Sequence, residues 1–547
     1  MRPHWRENLF ERGGSVGKKA YLLLGLLLVL LAAAGVSLGR ASTQGEYVAA
    51  AGAQSLYRLQ VAKGRGTIYD RNGQPLVGTT RELLGAVAPT LESIGALETS
   101  THGAFRSRLA LALEDGKPFV LTLPTLVEHP CVDLFSVPRR YGEDQLAPHL
   151  IGYLDSQGRG AAGVELAMDD LLQAQGGEIA VTYQVDALGR VIAGGERLVE
   201  DTLGESQAGV VLTLDGELQR LAEEAAADLG QGAVVITQVP DCEILALASV
   251  PDFHPDRVGE AVDREDSPLV NRAFSAYAPG SVFKLVVAAA LLEQGRPVES
   301  FPCTGSVNVN GLTFSCAGGQ AHGEVNLEQA LAQSCNGYFI NAARSLGGQA
   351  ILTMAYNLGL GEEVEFGRGL RSGAGRLPEL SSLENPRALG NFAFGQGELT
   401  ATPLQLCAVL GAIASGGVYA TPKLIAGEVD ENKRLSPLSP VTDKEVRVMS
   451  VSTAKKLQRY LETAAREGTG RAGAVTEGVC GIKTGTAQTG VMEDGEELLH
   501  FWYCGYVGEG DSPQYCITVL CESTPDDGGA AARAFRQVAK GLLAGEE

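Results

Sequence analysis

The sequence predicts an α+β protein tethered by one N-terminal apolar helix, and three observations carry that reading. The run AYLLLGLLLVLLAAAGVSL, from Ala20 to Leu38, contains no charge. The β-rich runs GAVVITQVPDCEILALAS (232–249), HFWYCGYVG (500–508) and QYCITVLCE (514–522) stand at the two ends of the C-terminal region, with helix-like stretches between them. Some of these strands are joined by short turns such as Pro240-Asp241, so their sheet is expected to be antiparallel.

The apolar run comes first in the chain. It is long enough to cross a bilayer as a helix. Arg2, Arg6, Arg12, Lys18 and Lys19 precede it, against Glu7 and Glu11. The excess of positive charge places residues 1–19 in the cytoplasm and everything after Arg40 outside. A cleaved signal peptide is the rival reading, because Ala32 to Ala34 offers small residues for cleavage. The run is long for that purpose, so residues 20–38 are read as a retained anchor.

Next, Thr43 to Val61 reads as helix-prone. KGRGTIYDRNGQPL (63–76) contains a strand and an Asp-Arg-Asn-Gly turn. Residues 75–205 mix short apolar runs with turns and show no catalytic constellation, and residues 41–205 are read as an extended, β-rich, non-catalytic module. From residue 206 the pattern changes. VVLTLD leads into the helix ELQRLAEEAAADL, then into the first β-rich runs, and AAARAFRQVAKGLLAG (530–545) closes the chain as an amphipathic helix.

A net charge of −21 over 547 residues argues against nucleic-acid binding, which needs basic patches for phosphate. No metal or cofactor is expected. None of the ten cysteines forms a CxxC pair, and the seven histidines are scattered, with His149 and His322 read as holding loops. Cys303 and Cys316 flank VNVNGLTFS, which reads as a hairpin; a disulfide and free buried thiols are both open there.

Three short motifs carry chemistry. Ser281-Val282-Phe283-Lys284 follows Pro279-Gly280 and leads into LVVAAALLEQG, too apolar for the surface. Three apart on a helix, Ser281 and Lys284 share a face. A helix N-terminus disfavours an ammonium, so Lys284 can take the serine proton. Ser334-Cys335-Asn336 places a hydroxyl and an amide in one cleft only if the chain turns there; Ser334 could relay a proton and Asn336 hold a substrate amide. Lys483-Thr484-Gly485-Thr486 follows the strand-like VCGI. Lys483 and Gly485 then share one face, with Thr484 and Thr486 on the other. Gly485 would let substrate approach the backbone, and the N–H groups of Thr486 and Ser281 could form an oxyanion hole. A serine N-cap with a surface lysine, a helix-end cap, and an edge-strand lysine are the plain readings of each motif alone.

Together these are SxxK, SxN and KTG in order, and the chain resembles class B penicillin-binding proteins, the monofunctional D,D-transpeptidases. RGTIYDRNGQPL (65–76), HLIGYLDSQGRGAAGVELAMDDLL (149–172), NRAFSAYAPGSVFK (271–284), HGEVNLEQALAQSCNGYF (322–339), GQGELTATPLQLCAVLGAIASGG (395–417) and EGTGRAG (467–473) also match in order. The resemblance implies a pedestal or dimerisation domain over 41–205 and a transpeptidase domain over 206–547, its five-stranded antiparallel sheet flanked by helices. It implies peptidoglycan stem peptides as substrates, β-lactams as inhibitors and a membrane glycosyltransferase as partner. Ser281 is then the nucleophile, Lys284 its base, Ser334 and Asn336 the relay and substrate-positioning residues, and Lys483, Thr484, Gly485 and Thr486 the substrate-binding strand. Ile482, Val282 and Ser415 depart from the family's usual residues. Two other readings are a D,D-carboxypeptidase or β-lactamase of the same fold, with water as acceptor, and an inactive scaffold or sensor.

Overall fold

The computed structural model describes residues 10–43, 55–203, 207–297 and 299–544. Helix α1 (Phe10–Thr43) contains the apolar run, and none of its stretch Gly17–Arg40 is buried. At about 1.5 Å rise per residue, 24 residues exceed the roughly 30 Å thickness of a bilayer's hydrocarbon. Arg2, Arg6 and Glu7 lie outside the described residues.

The helix expected over Thr43–Val61 is corrected in part. Residues 44–54 lie outside the described residues, but Leu56–Lys63 is a strand. It pairs antiparallel with Glu178–Gln184, with Tyr57, Leu59 and Val61 facing inward and Arg58 and Gln60 outward. This two-residue period wins over the helix propensity of Leu, Gln and Ala because a partner strand is there to receive it.

The chain forms two compact units. One comprises Met1–Lys63, Glu82–Val137 and Glu178–Leu203. It is β-rich, with the sheet Leu56–Lys63, Glu178–Gln184, Arg197–Asp201 and a second sheet in the order Phe119–Leu123, Thr80–Val87, Val132–Arg139. Val61, Ala86, Val137, Ile179, Val181 and Tyr183 form its core. The other unit comprises Gly64–Arg81, Pro138–Gly177 and Gly204–Glu547. Residues 64–81 and 138–177 thus pack with the second unit, so the division is not a single cut near residue 205.

At the centre of the second unit is a five-stranded sheet. Its strands are β1 (Gly232–Gln238), β2 (Ile244–Val250), β3 (Val479–Glu493), β4 (Glu496–Gly508) and β5 (Tyr515–Thr524). They lie in the order β2-β1-β5-β4-β3, every neighbouring pair antiparallel. β1 is buried on both faces, which explains why GAVVITQ reads as a continuous apolar run. Val234 and Ile236 join Ile517 and Val519 in a core with helices α2 (Gly216–Ala226) and α6 (Ala530–Ala544). Ala233 and Val235 join Leu520 in the opposite core, with α3 (Lys284–Glu293) and α5 (Pro403–Ala414). Successive side chains on a strand point to opposite faces, so each strand serves both cores.

The two N-terminal segments of this unit are joined by ions. Glu165, fully buried, accepts from Arg65 Nε and Arg140 Nε, each at 2.6 Å, and from the Tyr141 hydroxyl at 3.2 Å. Arg65 also reaches Asp169 at 2.8 Å. Neutralising Glu165 leaves two guanidinium groups buried beside an uncharged partner. Glu165→Gln should therefore lower the unfolding free energy by about 3–5 kcal/mol. Urea denaturation checks this, and an unchanged midpoint would show that the network contributes nothing to stability.

Candidate active site

Residues 278–284 form a sharp turn into α3. Gly280 has φ of 52°, a conformation that glycine adopts without strain. A Cβ there would lie 2.6 Å from the Thr486 carbonyl oxygen, so the turn sits directly against β3. Gly280 N donates to Gly395 O at 3.0 Å, and Trp502 Nε1 donates to Ala278 O at 3.0 Å. Ser281 lies in a 3₁₀ turn, Gly280–Phe283, and the α-helix begins at Lys284 rather than at Ser281. Residues Lys284 to Leu291 are all buried, as the apolar run requires. Lys284 Nζ lies 2.9 Å from Ser281 Oγ.

Ser334 follows a short helix, Leu327–Ala332, and precedes α4 (Asn336–Leu346). Its φ of 56° is the left-handed conformation that a serine seldom takes. This reversal turns the residue 334 and 336 side chains into one cleft. Lys284 Nζ donates to Ser334 O at 2.7 Å and to Asn336 Oδ1 at 2.6 Å, and lies 3.1 Å from Ser334 Oγ. Asn336 Nδ2 donates to Ser315 O at 2.7 Å, which fixes the amide's orientation.

On β3, Lys483 and Gly485 are buried while Thr484 is half-buried and Thr486 exposed. Lys483 Nζ donates to Ser334 Oγ at 3.1 Å and to Thr484 O at 2.7 Å. Ser334 Oγ therefore lies between two amines from distant parts of the chain. Gly485 meets a different demand from the one expected. A Cβ there would lie 2.9 Å from both Pro279 O and Val282 Cγ2, so glycine at this position admits the turn that carries Ser281. The residues unusual for the family also have local roles. Val282 is that close neighbour, Ile482 is fully buried against Gly470, and Ser415 Oγ donates to Val418 O at 2.7 Å.

Sequence reasoning missed several residues that shape the site. Thr484 Oγ1 donates to Thr469 Oγ1 at 2.6 Å, and Thr469 N donates to Ala332 O at 3.1 Å. EGTGRAG was matched as a motif without a role, and Thr469 is the residue in it that reaches the strand. Trp502 and Ser315 carried no signal, because each acts through a tertiary contact or a backbone atom, and Gly395 opens the matched stretch 395–417, which was given no role. His149 Nε2 lies 2.7 Å from Pro268 O, while His322 lies against Cys303.

The two amines are electrostatically unusual. Burial, and then the neighbouring Lys483, hold Lys284 well below its ordinary pKa. Burial alone lowers Lys483 to about 7, against a partial opposing effect of Cys504. Lowering the pKa of a buried amine raises the share of its neutral form, which can accept a proton from a hydroxyl beside it.

Solved structures share this fold. The structure described as "Structural coordination of polymerization and crosslinking by a peptidoglycan synthase complex" matches at a TM-score of 0.69 and 25% identity, over 98% of this chain and 99% of that one. Penicillin binding protein 3 of Mycobacterium tuberculosis, complexed with aztreonam, shares the fold at a TM-score of 0.65 and 23% identity, over 90% of this chain and 97% of that one. Residues 232–540 match the penicillin binding protein transpeptidase domain, and the chain belongs to that family. Stage V sporulation protein D of Bacillus subtilis is 28% identical over 70% of this chain and 60% of its own length. Peptidoglycan D,D-transpeptidase PbpA of Mycolicibacterium smegmatis is 30% identical over 61% of this chain and 71% of its own. The chain spans 60% to 64% of the length of the first curated relatives it matches.

The amine pKa values have a measurable consequence. Folding lowers the pKa of Lys483 from 10.5 to about 7. Between those values the unfolded chain binds more protons than the folded one, so wild-type stability rises with pH across that window. Lys483→Met removes the cost, which at full extent is about 4–5 kcal/mol. The variant's advantage in melting temperature should be greatest at pH 7 and shrink towards pH 10. A difference independent of pH over that range would show that Lys483 titrates as an ordinary lysine.

Proposed function

We propose that the chain is a peptidoglycan D,D-transpeptidase, working through a serine acyl-enzyme, with its second unit outside the cytoplasm. The observation that carries this is the 2.9 Å separation of Lys284 Nζ from Ser281 Oγ, with the Ser334 hydroxyl between Lys284 and Lys483. The relatives' names supply the substrate class: PbpA is a peptidoglycan D,D-transpeptidase.

Neutral Lys284 takes the proton of Ser281 as Oγ attacks the carbonyl carbon of the penultimate D-Ala of a donor stem peptide. The backbone N–H groups of Ser281 and Thr486 receive the developing oxyanion, which fits the contact of the Gly280 turn with Thr486. The acyl–nitrogen bond then breaks. The departing amine takes a proton from Lys284 through the Ser334 hydroxyl, and D-Ala leaves. The amine of a neighbouring stem peptide attacks the carbonyl carbon of the Ser281 ester and gives a proton to Lys284 through the Ser334 hydroxyl; the acyl–oxygen bond breaks, Ser281 Oγ takes the proton from Lys284, and a new amide is released. Asn336 holds the donor's amide. Thr484 and Thr486 face its terminal carboxylate, and Lys483 supports the site from the opposite face of β3 through Ser334 Oγ. β3 lies at the end of the sheet, so a donor peptide can lie along its free edge. A β-lactam is opened by the same attack and stays on Ser281.

The helix α1 is the anchor, and its flanking positive charge orients the catalytic unit outward. The related synthase complex couples polymerisation to cross-linking, which supports a membrane glycosyltransferase as the partner here.

Intact-protein mass spectrometry after reaction with a fluorescent penicillin should show one adduct on the wild-type chain and none on Ser281→Ala. Lys284→Ala should slow acylation by about 10²–10⁴-fold. An adduct that persists in Ser281→Ala would overturn the assignment of the nucleophile.

A further inference from the structure

The loop bearing Ser334 and Asn336 rests on a cluster that the acyl chemistry does not use. Cys335, between those two residues, has its Sγ 4.0 Å from Cys316 Sγ. Cys316 Sγ is 3.7 Å from Cys303 Sγ, which is 3.3 Å from His322 Nδ1. All four donor atoms lie within 4.8 Å of one another. The cysteines are buried and His322 is half-buried.

The fold brings them together from both sides. Strands Ser306–Val309 and Leu312–Ser315 form a hairpin with Cys303 before it and Cys316 after it. Phe301–Cys303 pairs with Gly323–Val325, setting Cys303 opposite Gly323 and so beside His322. Cys335 caps α4, its Sγ accepting the Tyr338 N–H at 3.4 Å. Such a hydrogen bond favours a thiolate. The residues flanking two of the donors also bond each other, since Asn336 Nδ2 reaches Ser315 O.

The separations suit a tetrahedral ion. With Zn–S of about 2.3 Å and Zn–N of about 2.0–2.1 Å, the edges of a regular tetrahedron are about 3.8 Å between sulfurs and about 3.5 Å from sulfur to nitrogen. A disulfide, with sulfurs about 2.05 Å apart, would join two thiols and leave the third and the imidazole unexplained. Three thiolates and an imidazole are the soft donor set that selects zinc, and four protein donors leave no position open for chemistry.

We propose that Cys303, Cys316, His322 and Cys335 hold one structural zinc ion, which pins the loop carrying Ser334 and Asn336. The metal readout is independent of the acyl-transfer reading, so either can fail alone. Full-length chain purified in detergent without a histidine tag, then dialysed against EDTA, should retain equimolar zinc by elemental mass spectrometry. Ser281→Ala and Cys407→Ser should retain it too. Cys303→Ser and His322→Ala should each weaken zinc binding by at least the roughly 10–100-fold that loss of a supporting hydrogen bond costs a metal site. Chain grown with cobalt should show thiolate-to-cobalt charge transfer and tetrahedral visible bands. Wild-type chain that retains no zinc, or peptide mapping that finds a disulfide among these three cysteines, would overturn the proposal.

Discussion

Two lysine amines held out of water, with a serine hydroxyl between them, are the constraint around which the second unit is arranged. An amine in a dry interior loses its charge unless an anion compensates it. Burial is the largest cause of the depressed pKa of both Lys284 and Lys483, and no carboxylate is among the causes acting on either. The site exists because the surrounding helices and strands are apolar enough to exclude solvent. The wholly buried face of α3 and the doubly covered strands β1 and β5 are therefore part of the chemistry and not only of stability. Each fully buried Leu or Val contributes about 1.5–3 kcal/mol, and that surplus sustains groups which weaken the fold.

Geometry depends on glycine as much as on charge. At Gly280 and Gly485 the turn that carries Ser281 and β3 touch backbone to backbone, leaving no room for a side chain at either position. Trp502, on the neighbouring strand β4, holds the same turn through Ala278 O. The spacing of Ser281 and Lys483 is thus set by the sheet.

Much of this was legible in the sequence. The α+β class, the β-rich runs, the closing helix and the long N-terminal apolar helix follow from apolar patterning, which local sequence records. The pairing of Ser281 with Lys284 follows from helical geometry. What escaped was decided by tertiary partners. Leu56–Lys63 became a strand because Glu178–Gln184 lies beside it. The left-handed turn at Ser334 cannot be read from a serine, and the close approach of the Pro279 turn to Gly485 is a tertiary contact that no local spacing records. Thr469 reaches Thr484 from a loop whose role its composition does not reveal. His322 and the three cysteines lack any short repeat spacing, because a strand pair and a hairpin bring them together.

The sheet joins β1 and β2, at residues 232–250, to β3, β4 and β5, at residues 479–524. β1 pairs directly with β5 across the whole intervening sequence. Contacts of such high order must close a large loop before they stabilise anything, and they form slowly. A chain made from its N-terminus carries Ser281 and Lys284 long before Lys483 has been synthesised. A chain that has not extended past residue 483 consequently lacks the second amine and the edge strand, and the cluster of Ser281, Lys284, Ser334 and Lys483 assembles only when residues 479–524 have joined the sheet.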